Sequence, residues 1–595
     1  MNRSNMRNAG IVWMAVLVLG LVFARPVRAE EAASKGPILS ALTEKPLVVF
    51  HLNGITGAVE AIAQTRVGQQ IGESPLLSSA LDVWQGGLRF GAAVLADLPE
   101  ETLHRLLGRE MAVVVFAPQE PAEELVALVM HLGEDTDLVK DLLKERIIPR
   151  LKATNPRLQV QVRDAKGGHV VQLEDGPKRG HLRFAEDLLI AGPENVLMKF
   201  DPAGRTPTRV TEERGTAQIA SVSVNLEPVW HWVMARVAGH PAAAARVHGI
   251  GLLAMTQLRV ATAVEAGGFK DTLVADIDPN APAHVRARMA IKAGQARSAA
   301  VIPAGSALAV SLQIESGDRL YALIEDSIRQ KQGEAGLQQF RQRLDAVNIT
   351  FGVNVELGLM PAIGNEVFLA LIPPDADAVL AGEATTEDFG YTIGFVAKDA
   401  DKLRDIIQRF AAAPPAVQAG WRLITDRFQG ADVYNLVNDV EQKRLSLAFV
   451  EGFLIFSARE DSVRDAVSAV AAGEVLAACP QYQAVLDHLP DEANARLYVD
   501  TRPLRELLMA VLPQRAPQQV KAFLPLIEGV VPHLGSYGVA AVSDETQLRV
   551  EGYGDVPAMF ALFNLGLGAA ADRMKKAGPM APAAADGNGR NSQRS

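Results

Sequence analysis

The sequence predicts an α+β protein: a tandem duplication of a unit with mixed, mostly antiparallel sheets covered by helices. Three observations carry this reading. Five landmarks recur in one order along the chain, strand-like runs outnumber helical ones, and many of those runs are neighbours across short turns. Strands joined by short turns pair antiparallel, and helices set between some of them give an α+β layer arrangement.

The chain opens with Arg3 and Arg7, then an apolar run of 16 residues from Ala9 to Ala24, then Val27-Arg28-Ala29 before Glu30. A basic start, an apolar run and small residues at a cleavage point make a secretory signal peptide over residues 1–29. The run is shorter than the roughly 20 residues of a comfortable membrane span, so cleavage is expected, with retention as an anchor the alternative. Cys479 is the only cysteine, so no lipoprotein anchor is expected at the junction. Residues 30–45 read as a linker.

The repeat then begins. Pro46–Leu52 and Ser306–Leu312 both read as a strand followed by a helical pattern. Leu107–Pro118 and Ile363–Pro374 each hold Gly-x-Glu, an apolar strand and a proline. Met111–Phe116 and Val367–Ile372 have no polar face, which predicts strands covered on both sides at the centre of each copy. Asp135–Leu143 matches Asp399–Ile407, and each follows a strand. Phe184–Ile190 matches Phe449–Ile455, a hairpin with an acidic or glycine turn. Ala220–Pro228 matches Ala495–Pro503, where alternating residues lead to a proline that suits a first helical turn.

The offsets of these five pairs are 260, 256, 264, 265 and 275, a drift that loop insertions produce. A sixth match, Thr256–Val260 with Thr546–Val550, falls at non-equivalent places and carries the least weight. The copies are placed at 46–292 and 297–556. An amphipathic C-terminal helix is expected at 557–576, its basic end at Arg573, Lys575 and Lys576 complementing a helix C-terminus. It would dock on the second copy or touch a membrane surface. The tail 577–595, rich in Ala, Pro, Gly and Asn, reads as disordered.

The net charge is -10, and without the four arginines of the leader it is -14, with 55 basic and 69 acidic residues. An acidic body argues against nucleic-acid binding, which rests on clustered Lys and Arg, and offers no attraction to anionic lipid. A single cysteine gives no internal disulfide and no multi-thiolate metal site. Cys479 lies in an apolar stretch and reads as a small buried hydrophobe.

Each candidate site has a plainer structural explanation. Asp135, Asp137, Asp141 and their counterparts Asp399, Asp401, Asp405 form a repeated Asp-x-Asp-x-x-x-Asp. The pattern lacks the glycine and terminal glutamate of a calcium loop, whereas Asp at a helix start caps free N–H groups. His231, His240 and His248 are separated by nine and eight residues, unlike the i, i+4 ligands of a helical zinc site. Trp230 and Trp232 lie two apart on a helix and share no face. Core packing is expected, with Trp232 in the core and Trp230 nearer the surface. Gly249-Ile-Gly is a broken dinucleotide fingerprint. No catalytic, cofactor or metal site is assigned, although a Ser/His/Asp triad built from distant residues leaves no trace in sequence.

The segments Gly108–Val115 and Gly364–Leu371, with Val222–Asn225 and Leu497–Asp500, resemble an exported, planctomycete-like bacterial family described only as a domain of unknown function. The likeness covers most of the mature chain and implies an exported, duplicated α+β body. It implies no activity and no functional residue. Three roles are therefore expected, in this order: a cell-envelope binding or scaffold protein with two related lobes, a periplasmic carrier of an apolar ligand or lipid, and a hydrolase with a dispersed site. Partners would be an envelope protein or an apolar ligand. Membrane contact would come only through an uncleaved leader or the 557–576 helix.

Overall fold

The computed structural model describes residues 38–66, 68–69, 100–117, 125–165, 168–175, 178–201, 217–237, 252–281, 286, 291–382, 389–515 and 535–563. Among them, twenty strands join into one sheet. Ten precede residue 280: β1 Val48–Leu52, β2 Met111–Val115, β3 Val126–His131, β4 Gln159–Ala165, β5 Gly168–Asp175, β6 Lys178–Ala185, β7 Leu188–Gly192, β8 Ala217–Asn225, β9 Met255–Glu265 and β10 Gly268–Ile277. Ten follow: β11 Leu308–Gln313, β12 Ile363–Ile372, β13 Gly390–Ala397, β14 Trp421–Phe428, β15 Ala431–Asn438, β16 Lys443–Val450, β17 Phe453–Ser457, β18 Ala495–Asp500, β19 Ser536–Ser543 and β20 Gln547–Gly554.

The pairings give the order β4-β5-β6-β7-β3-β2-β1-β8-β9-β10 in the first half. The second half runs β14-β15-β16-β17-β13-β12-β11-β18-β19-β20. The second order repeats the first strand for strand. The halves meet where β10 pairs with β20, from Phe269 opposite Gly554 to Asp276 opposite Gln547.

Every one of these pairings is antiparallel, so of the expected mixed, mostly antiparallel sheets the antiparallel part is found and the parallel part is not among the described residues. The helices set between β1 and β2, and between β11 and β12, return the chain to the neighbouring strand in the opposite direction, so no parallel crossover forms. The turn at Glu186 and Asp187 joins β6 to β7 with φ 52° at Glu186, and Glu451-Gly452 does the same for β16 and β17 with φ 48° and 79°. Positive φ lets a tight hairpin turn follow the strand twist. Thr256–Val260 lies in β9 and Thr546–Val550 opens β20, places that do not correspond in the two strand orders.

A helical excursion separates the first two strands of each half. In the second half it spans Gly317–Phe351, but Gly333 takes φ 72° and ψ -174° inside it. Arg341 Nε lies 2.7 Å from Glu325 Oε1, whereas one straight helix would hold residues so spaced about 24 Å apart. The segment is thus a helical hairpin turning at Gly333. In the first half, Ile55–Gln64 packs Ile55 and Val59 against Leu107 of Glu100–Leu107.

One face of the sheet is dry. Ala112, Val114, Ala127, Val129 and Ile190 pack there with Ile38 and Ala41 of a short 3-10 turn. The corresponding face of the second half packs Phe368, Ala370 and Ile455 with Val463 and Val467 of Glu460–Ala472 and Tyr482 of Pro480–Leu486. Residues 38–45 are therefore part of the fold, correcting the linker assigned to 30–45. A four-residue turn anchored by two apolar side chains has no periodicity to reveal it. In β2 the residues alternate between half-buried and buried, and none is exposed.

Residues 558–563 form the start of the expected C-terminal helix. Its remainder with Arg573, Lys575 and Lys576, the tail 577–595 and the leader 1–29 lie outside the described residues. Among the described residues no helix is long and apolar enough to cross a membrane.

Candidate functional site

The repeated aspartates do not converge. Asp399 caps Ala400–Ala412 by accepting the Lys402 N–H at 3.0 Å. Asp401 and Asp405 turn to Arg404 and Arg409 at 2.6 and 2.9 Å. In the first half Asp135 is buried between Arg105 Nε at 2.8 Å and Arg109 Nη2 at 2.7 Å, while Asp137 faces Lys140 at 3.2 Å. Asp141 is exposed on the helix Thr136–Leu142. Among the described residues no group of three or more His, Cys, Asp and Glu is arranged to hold a metal ion.

His231 is exposed, and His240, His248, Gly249 and Gly251 lie outside the described residues. Trp230 is half-buried on the helix Leu226–Val237, packs against the cluster of Val222, Val224 and Leu226, and donates its indole N–H to the Met255 carbonyl at 2.7 Å. The side chain of Trp232 is outside the described residues. Cys479 is buried in the core of the second half, its thiol 3.1 Å from Gln481 Oε1.

Two polar networks escaped the sequence reading. The glutamates of the Gly-x-Glu landmarks are buried, Glu110 in the first half and Glu366 in the second. Glu366 accepts the N–H of Arg297 at 2.8 Å, the N–H of Ser298 at 3.0 Å and the Ser311 hydroxyl at 2.6 Å. Glu110 accepts the N–H of Ile38 at 3.2 Å and stands 2.7 Å from His51 Nε2. Each glutamate ties a 3-10 turn to the first strand of its half, over sequence separations that no local pattern encodes.

The second network sits on the other face of the sheet. Residues directly opposite on paired strands share a face. Leu128, Val113, Phe50, Val222, Val260 and Leu273 face one another in register from β3 to β10. Val550, Ala541, Ala495, Leu312, Val367 and Phe395 continue the line from β20 to β13. This apolar line is incompletely covered, with Leu128 43% and Leu312 44% exposed.

Asp271 interrupts that face. It precedes Leu273 by a two-residue step, so its carboxyl points into the apolar side, and it is fully buried. Oδ2 accepts the Tyr537 hydroxyl at 2.7 Å and the N–H of Met559 at 2.9 Å. Burial pushes the Asp271 carboxyl above its ordinary range, opposed by hydrogen bonds from Tyr537, Phe560 and Met559. Burial also pushes the Tyr537 phenol up, and the Asp271 charge adds to this. Tyr537 reaches Asp271 across Gly552, where a Cβ would lie 2.1 Å from the phenol oxygen. Gly552 is thus the opening through which β19 touches β10.

Beside this junction lies a cleft of about 210 Å³ lined by Arg66 from the first half and Arg502, Ser536, Tyr553 and Asp555 from the second. Burial raises the Asp555 carboxyl and the nearby Arg66 charge opposes the rise. Arg502 is already taken by Asp500, with Nε 3.0 Å from Oδ1. The cleft therefore balances its own charges, and the chemically distinctive feature is the apolar face with the buried acid Asp271.

No curated protein matches the chain, and no solved structure does. From residue 287 to residue 538, most of the second half, the sequence matches the family described as protein of unknown function (DUF3352).

Proposed function

We propose that this is an exported cell-envelope protein whose mature body is one α+β unit used twice, and that it acts by binding, as a scaffold with two related lobes. The observation that carries the reading is the common strand order of the two halves, joined edge to edge through β10 and β20. Supporting it, Glu110 and Glu366 do the same structural work at corresponding places, and the leader carries the pattern of an exported chain. Two like surfaces on one continuous sheet would gain avidity for a repeated partner. Cell fractionation with sequencing of the mature N-terminus tests the location; a start at Glu30 in the envelope fraction is expected. Recovery from the cytoplasm with the leader intact overturns it. Crosslinking in intact cells is expected to join the chain to an envelope protein.

A second reading, carriage of an apolar ligand or lipid, is favoured by the incompletely covered line of apolar side chains from Leu128 to Leu312. Native mass spectrometry of chain purified from the envelope fraction tests it: co-purifying lipid supports carriage, and a ligand-free chain rejects it.

A further inference from the structure

Among the described residues β14 pairs only with β15, and β4 only with β5, so these two strands are the edges of the sheet. A free edge presents unpaired N–H and C=O groups to any strand that meets it in register. Along β14, Arg422 and the run from Ile424 to Arg427 are exposed. Arg422, Ile424 and Asp426 stand at two-residue steps and share one face of the sheet. Ile424 is 39% exposed. On either side of it, Arg422 Nε meets Asp439 Oδ2 at 2.9 Å and Asp426 Oδ2 meets Arg464 Nη2 at 2.7 Å.

This order of residues complements itself. A two-fold axis through Ile424 lays β14 antiparallel to β14 of a second copy. Ile424 then faces its own counterpart, Arg422 faces Asp426, and Asp426 faces Arg422. Cross-strand apolar pairs and opposite charges both favour such a register. Asp426 Oδ1 accepts the N–H of Arg427 at 2.8 Å, but a carboxylate has about four acceptor sites, so a second cation has room. The pairs Asp439–Arg422 and Asp426–Arg464 would join across the axis into rows of alternating charge. Charges on an edge ordinarily keep other strands away; here they select one register. The β4 edge lacks this property: a two-fold axis through Val162 sets Gln161 opposite Arg163 and Val160 opposite Asp164, with no opposite charges paired. The seam inside the chain already pairs like with like, because β10 and β20 hold the same place in the two strand orders and run antiparallel.

We propose that β14 is a homodimerisation edge, which joins two copies of this chain through Ile424 and two reciprocal Arg422–Asp426 pairs into one continuous sheet. The contact is isologous and closes at two copies. An edge of eight residues is small beside a standard protein interface, so the dimer is weak and reversible.

The test uses the full-length chain, Arg422→Asp, Asp426→Arg and an equal mixture of these two variants, followed by sedimentation over a range of concentrations. The parent is expected to form dimers. Each variant alone sets like charges opposite one another twice and should associate at least tenfold more weakly. The mixture restores both opposite-charge pairs and should associate as the parent does, which a misfolded variant could not do. A second measurement oxidises Ile424→Cys and the control Val162→Cys, which is the more exposed site at 63%; Cys479 is buried and does not compete. A covalent dimer is expected from Ile424→Cys alone. A monomeric parent at every concentration overturns the proposal, as do variants that dimerise like the parent or a mixture that stays as weak as its components. Assemblies longer than dimers, or crosslinking at Val162→Cys in place of Ile424→Cys, assign the contact to β4 and overturn it as well.

Discussion

The Ser311 hydroxyl donates to Glu366 Oε1 at 2.6 Å, and the same oxygen receives the N–H of Ser298 at 3.0 Å. One buried carboxylate thus fastens the entry of the second half to its first strand. Replacing Glu366 by Ala strands three donors. Buried donors left unpaired cost roughly 1–3 kcal/mol each, so a loss of about 3–5 kcal/mol is expected in urea unfolding. Glu366→Gln, which keeps an acceptor, should lose about half as much.

Gly552 has no room for a side chain. A Cβ there meets the Tyr537 oxygen at 2.1 Å and the ring carbon beneath it at 2.8 Å. Overpacking of this kind costs about 1–3 kcal/mol. Gly552→Ala is expected to lower the unfolding midpoint accordingly, while Gly382→Ala in an open turn loses only the strain of φ 80°. Equal losses at the two positions would contradict the packing account.

Asp271 carries a sign for pH. Its carboxyl sits above the ordinary value in the folded chain because burial disfavours the charge, so the folded state binds more protons than the unfolded one. Stability from this group is full below the unfolded value of about 3.9 and drains as pH rises through the raised folded value. Asp555 acts with the same sign. Relative to Asp271→Asn, the parent chain should therefore lose stability as pH rises above about 4. Urea unfolding at each pH reads the difference, and a gap that does not change with pH would reject the assignment.

The halves share a ladder from Phe269–Gly554 to Asp276–Gln547. Lys270 bridges it toward Glu551, and Tyr553 donates to the Glu265 carbonyl at 3.2 Å. Calorimetry of the full chain should show one transition. Val550→Pro removes a ladder donor in the middle of β20 and should split the heat absorption into two.

Asp135 and Asp399 hold matching sequence positions and different jobs. Asp399→Ala removes a cap from an exposed turn and should cost about 1 kcal/mol. Asp135→Ala removes the buried carboxylate that receives Arg105 and Arg109 and should cost about 2 kcal/mol. Added calcium should leave both midpoints unmoved; a calcium-dependent rise lost in either variant would restore the cation reading.

The sequence by itself determined the elements whose signals are local. Alternating runs such as Ala220–Asn225, the Glu186 and Glu451 hairpin turns, the Asp399 cap and the order of landmarks were all legible, because pleat, turn and cap act within a few residues. What it could not show was which strands would meet. The single antiparallel sheet, the β10–β20 seam, the turn at Ile38 docked under Glu110, and the contact of Tyr537 with Asp271 across Gly552 join residues as far apart as Phe269 and Gly554. In the sequence Asp271 is one more aspartate in a polar-looking strand. Only the tertiary fold puts it on the apolar face and removes its water, and desolvation is the physical step that turns an ordinary carboxylate into the one buried acid under the C-terminal segment.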